Sequence, residues 1–126
     1  MSKKIIQTDK APAPIGPYSQ AVLAGGTLYV SGQVALVPGT GDLVTGNIAD
    51  ETNQVMHNIN AILTEAGYAF GDIVKTTIFL SDMALFTSVN EVYGKYFTAD
   101  FPARETVAVK TLPKNVNVEI SVTAVK

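Results

Sequence analysis

Cysteine is absent from this chain of 126 residues. Disulfides, thiolate metal centres and a cysteine nucleophile are excluded together. Histidine occurs once, as His57 between Met56 and Asn58. A multi-histidine metal site is therefore ruled out, and His57 reads as an exposed or half-buried helix residue. The acidic residues show no metal-loop spacing, so no metal is expected.

Charge is also scarce. Asp, Glu, Lys and Arg make up 16% of the chain, low for a small soluble domain. The net charge is −2, and no basic block follows Lys3-Lys4. Phosphate-driven nucleic-acid binding needs a clustered basic patch and is disfavoured. The opening MSKKIIQTDKAPAP lacks the apolar stretch of a signal peptide. No apolar run approaches the roughly 20 residues of a membrane span. The expectation is a cytoplasmic protein without membrane contact. Arginine occurs once, at Arg104; every other basic residue is lysine.

What is present is apolar. Hydrophobic residues make up 47%, enough for a real core, and the length fits one domain over residues 1–126. Too few charges to cover the surface of so small a body imply that part of it is buried against other copies.

Residues 1–16 read as an extended arm. Residues 18–24 and 27–34 are strand-like, and Gly25-Gly26 between them is a hairpin signal. Residues 35–47 read as loop. Gly41 and Gly46 have the spacing of a phosphate loop, but Asn47-Ile48 follows instead of Lys-Ser/Thr, which excludes one. Val55, Met56, Ile59, Ile62, Leu63 and Ala66 recur at helical spacing, with Asp50 as expected N-cap and Gly67 as stop. Residues 72–81 read as a strand. Asp82 is expected to cap a second helix with Phe86, Val89, Tyr93, Tyr96 and Phe97 on its core face. Strands at 104–110 and 116–125 follow. The order β-β-α-β-α-β-β predicts an α+β fold, one sheet of five or six strands with both helices on one face.

Alternation within the strands separates two rows. Val116, Val118, Ile120, Val122 and Ala124 form one apolar row, opposed by Asn117, Glu119, Ser121 and Thr123. Likewise Leu28, Val30, Gly32 and Val34 oppose Thr27, Tyr29, Ser31 and Gln33. Val107 and Val109 oppose Arg104, Thr106 and Ala108. Val74, Ile78 and Leu80 oppose Lys75, Thr77 and Phe79. In a continuous sheet the polar rows share a face, which would gather Arg104, Glu119, Ser31 and Thr106. That face is hydroxyl-rich and lysine-poor, as suits a surface partly buried in an oligomer or cleft.

Two residues on it stand out. The planar guanidinium of Arg104 matches a carboxylate bidentately, as lysine cannot. A structural bridge to Glu119 or Glu105 is the equal alternative. Glu119, between Val118 and Ile120, needs a partner or a function. It either positions and deprotonates water or pairs with Arg104.

The stretches IGPYSQAV (15–22), LYVSGQ (28–33), DIVKTTIFLSDM (72–83), VNEVYGKYF (89–97), FPAR (101–104) and VEI (118–120) together resemble the RidA/YjgF (endoribonuclease L-PSP-like) family of enamine/imine deaminases. The likeness covers essentially the whole chain, and the order and spacing of the motifs carry it. It implies a chorismate-mutase-like α+β fold, mostly antiparallel. It also implies a homotrimer with a central barrel and a cleft at each subunit interface. The implied reaction is hydrolysis of 2-aminoacrylate/2-iminopropanoate and 2-iminobutanoate to 2-oxo acids and ammonia, with no cofactor. Carried over residue by residue, Arg104 takes the substrate carboxylate and Glu119 holds the attacking water. Ser31 and Gly32 supply hydroxyl and backbone groups, and Tyr18 and Asn90 line the pocket. Thr106 stands where many members have cysteine, and Glu105 where a small or apolar residue is usual. The alternative within the same fold is a non-catalytic 2-oxo-acid-binding or chaperone-like protein.

Overall fold

The apolar row from Val116 to Ala124 is buried throughout, and the fold is arranged around the strand that carries it. The structure is a computed structural model that describes residues 2–126. Its strands are β1 (Lys4–Ile6), β2 (Ala21–Ala24), β3 (Thr27–Gln33), β4 (Ile73–Leu80), β5 (Ala103–Ala108) and β6 (Val118–Val125). Its helices are α1 (Ile48–Glu65) and α2 (Phe86–Gly94). The sheet order is β1-β2-β3-β6-β4-β5. Only β4 and β5 run parallel; every other neighbouring pair is antiparallel. The α+β expectation, with both helices on one face, is met.

Local chemistry accounts for most element boundaries. Gly25 and Gly26 both have positive φ, 56° and 82°, as a two-residue hairpin turn between β2 and β3 requires. Helix α1 begins earlier than the Asp50 cap predicted. Asn47 is the cap, its side chain accepting from the Asp50 N–H at 2.8 Å and donating back to the Asp50 carboxylate at 2.9 Å. Val55, Met56, Ile59, Ile62 and Leu63 are fully buried. Each such side chain contributes about 1.5–3 kcal/mol on leaving water. Asp82 caps a short 3-10 turn, accepting from the Ala84 N–H at 2.8 Å, and α2 follows it. Gly94 ends α2, so Tyr96 and Phe97 pack from beyond the helix. The arm over residues 1–16 contributes β1, an edge strand the sequence pattern did not reveal.

Two bulges and one edge strand correct the predicted rows. In β3, Val30 faces Val122 and Gln33 faces Ile120, so Ser31 and Gly32 together oppose Ser121. This extra residue is a β-bulge. It turns Gln33 into the core side, where it is buried, and leaves Gly32 on the outer side. In β4 a second irregularity between Ile73 and Lys75 expels Val74, which is exposed. The buried row of β4 is Ile73, Thr76, Ile78 and Leu80.

The largest correction concerns β5. Its parallel register pairs Arg104 with Thr76 and Thr106 with Ile78, both core-facing. Arg104 and Thr106 therefore lie on the helical side, while Val107 is exposed on the outer side. Glu119 pairs with Phe79, on the outer face. The predicted gathering of Arg104, Thr106, Glu119 and Ser31 on one face does not occur within one chain.

Candidate functional site

The site residues fall into two groups, one on each side of the sheet. The first lines a cavity of about 390 Å³. Its walls include Tyr18, Ser31, Gly32 and Glu119, with Pro12, Ile15, Leu36 and Pro113 as apolar surface and Lys114 among the lining residues.

Gln20, not singled out by sequence reasoning, builds the first wall. Its buried amide accepts from the Thr8 N–H at 2.7 Å and donates to the carbonyls of Thr8 and Pro12 at 3.0 and 2.8 Å. These bonds fold the N-terminal arm over the end of β2. A polar residue inside the strand-like stretch 18–24 was the only sequence signal. The Ser31 hydroxyl donates to the Ser19 carbonyl at 2.6 Å, and the Ser31 N–H to the Gln20 carbonyl at 2.9 Å. Its proton being committed, the hydroxyl oxygen is left to accept from a ligand.

Glu119 stands over the bulge. A Cβ at Gly32 would lie 2.9 Å from its Cδ and closer still to Oε2. Only glycine leaves room for the carboxylate to lie there. Among the described residues the Glu119 carboxylate makes no ion pair or hydrogen bond; the sole ion pair is Lys75–Glu105, at 3.2 Å. Burial raises its pKa above the ordinary glutamate value. An unpaired, partly desolvated carboxyl is suited to general acid–base work. Lys114, which lines the cavity, and the adjacent Asn115 both adopt left-handed backbone, φ 59° and 54°. Non-glycine strain of this kind is often found at ligand sites.

The second group lies between β5 and α2. The Arg104 guanidinium donates to the Asn90 amide oxygen at 2.8 Å. It also lies over the Tyr93 and Phe86 rings, 5.2 and 5.7 Å from their centroids. Within the chain neither Glu119 nor Glu105 bridges it among the described residues. Glu105 points away from Arg104, as alternation predicted, and with β5 reversed this puts it on the outer face, bonded to Lys75 and Thr77. Beside Arg104, the buried Thr106 hydroxyl has no partner in the chain among the described residues. Buried hydroxyls are seldom left so. His57 is exposed on α1, away from both groups. Among the described residues no cluster of His, Asp or Glu could hold a metal ion. Among the described residues no helix is long and apolar enough to cross a membrane.

One chain thus presents a cation without an anion on one face and a carboxyl without a cation on the other. The Endoribonuclease L-PSP family model matches residues 8–126. A RutC family protein of Pyrococcus horikoshii is 50% identical over 124 residues, spanning 98% of each chain. The human 2-iminobutanoate/2-iminopropanoate deaminase is 46% identical over 124 residues, 98% of this chain and 90% of that one. A putative endoribonuclease of Thermotoga maritima superposes with a TM-score of 0.95 at 50% identity, covering 98% and 97% of the two chains. E. coli TdcF with bound serine does so with 0.93 at 40% identity, covering 98% of each. With a fold, a length and a sequence shared from one end to the other, the chain belongs to the Endoribonuclease L-PSP family, the RidA/YjgF family that its motifs resemble.

Proposed function

We propose that the protein hydrolyses small 2-imino acids, including 2-iminopropanoate (the imine form of 2-aminoacrylate) and 2-iminobutanoate, to 2-oxo acids and ammonia, at sites formed between copies of the chain. The observation that carries this reading is the division of the site. Arg104, with Asn90 and Thr106, is an anion receptor whose charge no carboxylate among the described residues neutralises. Glu119, with Tyr18, Ser31 and Gly32, is an acid–base group in a largely apolar cavity. A substrate that carries a carboxylate beside an electrophilic carbon uses both.

The outer sheet face offers a surface for joining copies. Tyr29, Val107 and Val125 are exposed on it, with Phe79 among them. A homotrimer is the smallest ring with heterologous contacts, and each copy then brings its Arg104 side to its neighbour's cavity. Deaminases among the relatives, and serine bound in TdcF, support a small amino-acid-derived ligand.

In this scheme Arg104 fixes the substrate carboxylate, and Glu119 removes a proton from water as its oxygen attacks the C=N carbon. The π electron pair moves to nitrogen, which takes a proton, giving a carbinolamine. Protonation of the amino group by Glu119 and cleavage of the C–N bond release ammonia. Loss of the hydroxyl proton leaves the 2-oxo acid. Positioning supplies much of the acceleration. The setting is the cytoplasm, where amino-acid metabolism produces such imines.

The test is complementation. Arg104→Lys and Glu119→Gln chains, each impaired alone, are unfolded together, refolded and assayed for 2-oxo acid release against each variant refolded by itself. Mixed assemblies recover a fraction of native activity, because some junctions pair an intact Arg104 with an intact Glu119. No recovery overturns the shared site. A native chain that binds 2-oxobutanoate without turning over imine favours the binding-protein alternative.

A further inference from the structure

The guanidinium of Arg104 is placed before any ligand arrives, and the residues that place it are on α2 and β4. Phe86, Asn90 and Tyr93 follow one another at i, i+4 and i+7, so they form one ridge on α2. Arg104 lies over both rings of that ridge, and its Nη1 donates to the amide oxygen between them. The Tyr93 hydroxyl donates to the Thr76 hydroxyl at 2.9 Å, and both residues are buried. Thr76 is in turn the register partner of Arg104 across the β4–β5 ladder. The circuit closes: strand β5, guanidinium, Tyr93, Thr76, and back through the ladder to β5.

We propose that Phe86 and Tyr93 are positioning residues that hold Arg104 as a charged, pre-oriented fork for a small carboxylate, with Thr76 anchoring the Tyr93 ring. This rests on the deaminase reading for the identity of the ligand, a 2-oxo or 2-imino acid. It goes beyond that reading in saying why the fork is ready. An arginine paired with Glu or Asp would surrender that partner on binding. Here the ring faces and the amide of Asn90 orient the cation without neutralising it. A free arginine side chain would lose rotamer freedom at the moment of binding; this one has already lost it. Burial also raises the Tyr93 pKa, so the phenol keeps the proton it donates to Thr76.

Because Arg104 is the only arginine, protein labelled with ¹⁵N-arginine gives a single Nε–Hε resonance. In the full native chain this resonance is expected to be displaced by ring currents and to exchange slowly. Phe86→Leu and Tyr93→Phe keep most of the packing volume. Phe86→Leu moves the resonance toward its random-coil position and weakens 2-oxobutanoate binding about three- to tenfold. Tyr93→Phe broadens the resonance by unpinning the ring. Both raise KM and leave kcat near native, a split that mere loss of folded protein does not produce. A random-coil Arg104 signal in the native chain overturns the clamp. So does native 2-oxobutanoate affinity in both variants. A displaced Arg104 signal in a native chain that binds no 2-oxo acid overturns the deaminase reading, and the clamp's ligand with it.

Discussion

Arg104 and Glu119 project from opposite faces of one sheet, with β4 between their strands. The register states it directly: Arg104 pairs with Thr76 and Glu119 with Phe79, residues of opposite parity on β4. A ligand touched by both must lie between two copies of the chain. The proposed assembly also accounts for the chain's low charge content, since surface that meets another copy needs fewer charges.

Arg104→Lys keeps the charge and removes the planar fork. The expected loss in kcat/KM for imine hydrolysis is about 10- to 100-fold, on the scale of a charge-assisted bidentate pair. Steady-state release of 2-oxo acid measures it. Undiminished activity in the lysine variant contradicts the carboxylate role.

Glu119→Gln removes the acid–base group, with an expected fall of about 10²- to 10⁴-fold. The native pH–rate profile carries a second signature. Burial raises the Glu119 pKa, so its basic form is lost as pH falls through a value above the ordinary glutamate range. Activity should decline along an acid limb positioned there. Stability has the opposite sense. A carboxyl with a raised folded-state pKa contributes stability that is complete below the unfolded pKa and is lost as pH rises through the folded one. Glu119→Gln should therefore melt above the native chain at neutral pH, and the gap should close in acid. A gap that widens in acid contradicts the assignment.

Gly32→Ala separates positioning from folding. The added Cβ meets the movable end of Glu119 rather than backbone, so the carboxylate swings aside and the sheet remains. The expected result is a melting temperature within a few degrees of native and a large drop in kcat. Wild-type turnover in this variant contradicts the location given to the Glu119 carboxylate.

Glu51 supplies a prediction about stability alone. Buried in the first turn of α1, it accepts from the Asn117 N–H at 2.8 Å, the Asn117 amide at 3.0 Å and the Val118 N–H at 3.3 Å. These bonds pin the start of β6 to the helix layer. Glu51→Gln sets an NH₂ group against these N–H donors. It should cost about 1–3 kcal/mol in denaturant unfolding. A change below a few tenths of a kcal/mol contradicts the brace.

By itself the sequence determined the class of fold, the core face of α1 and the strong row of β6, and it singled out Arg104 and Glu119 as candidates. Where five apolar residues alternate without interruption, from Val116 to Ala124, burial of that row outweighs every alternative. The whole-chain motif pattern likewise identified the family. Only the tertiary structure decided which way the weaker strands face. In β3 one extra residue at Ser31-Gly32 reversed the side taken by Gln33, and in β4 another expelled Val74. In β5, Val107 looked like the core side because valine is apolar. Yet the Phe86 and Tyr93 rings on α2 and the Thr76 and Ile78 register placed Arg104 and Thr106 there instead. Alternation relates a residue to its neighbours along one strand. Which parity meets the helices depends on bulges and on the partner surface, and both lie far away along the chain.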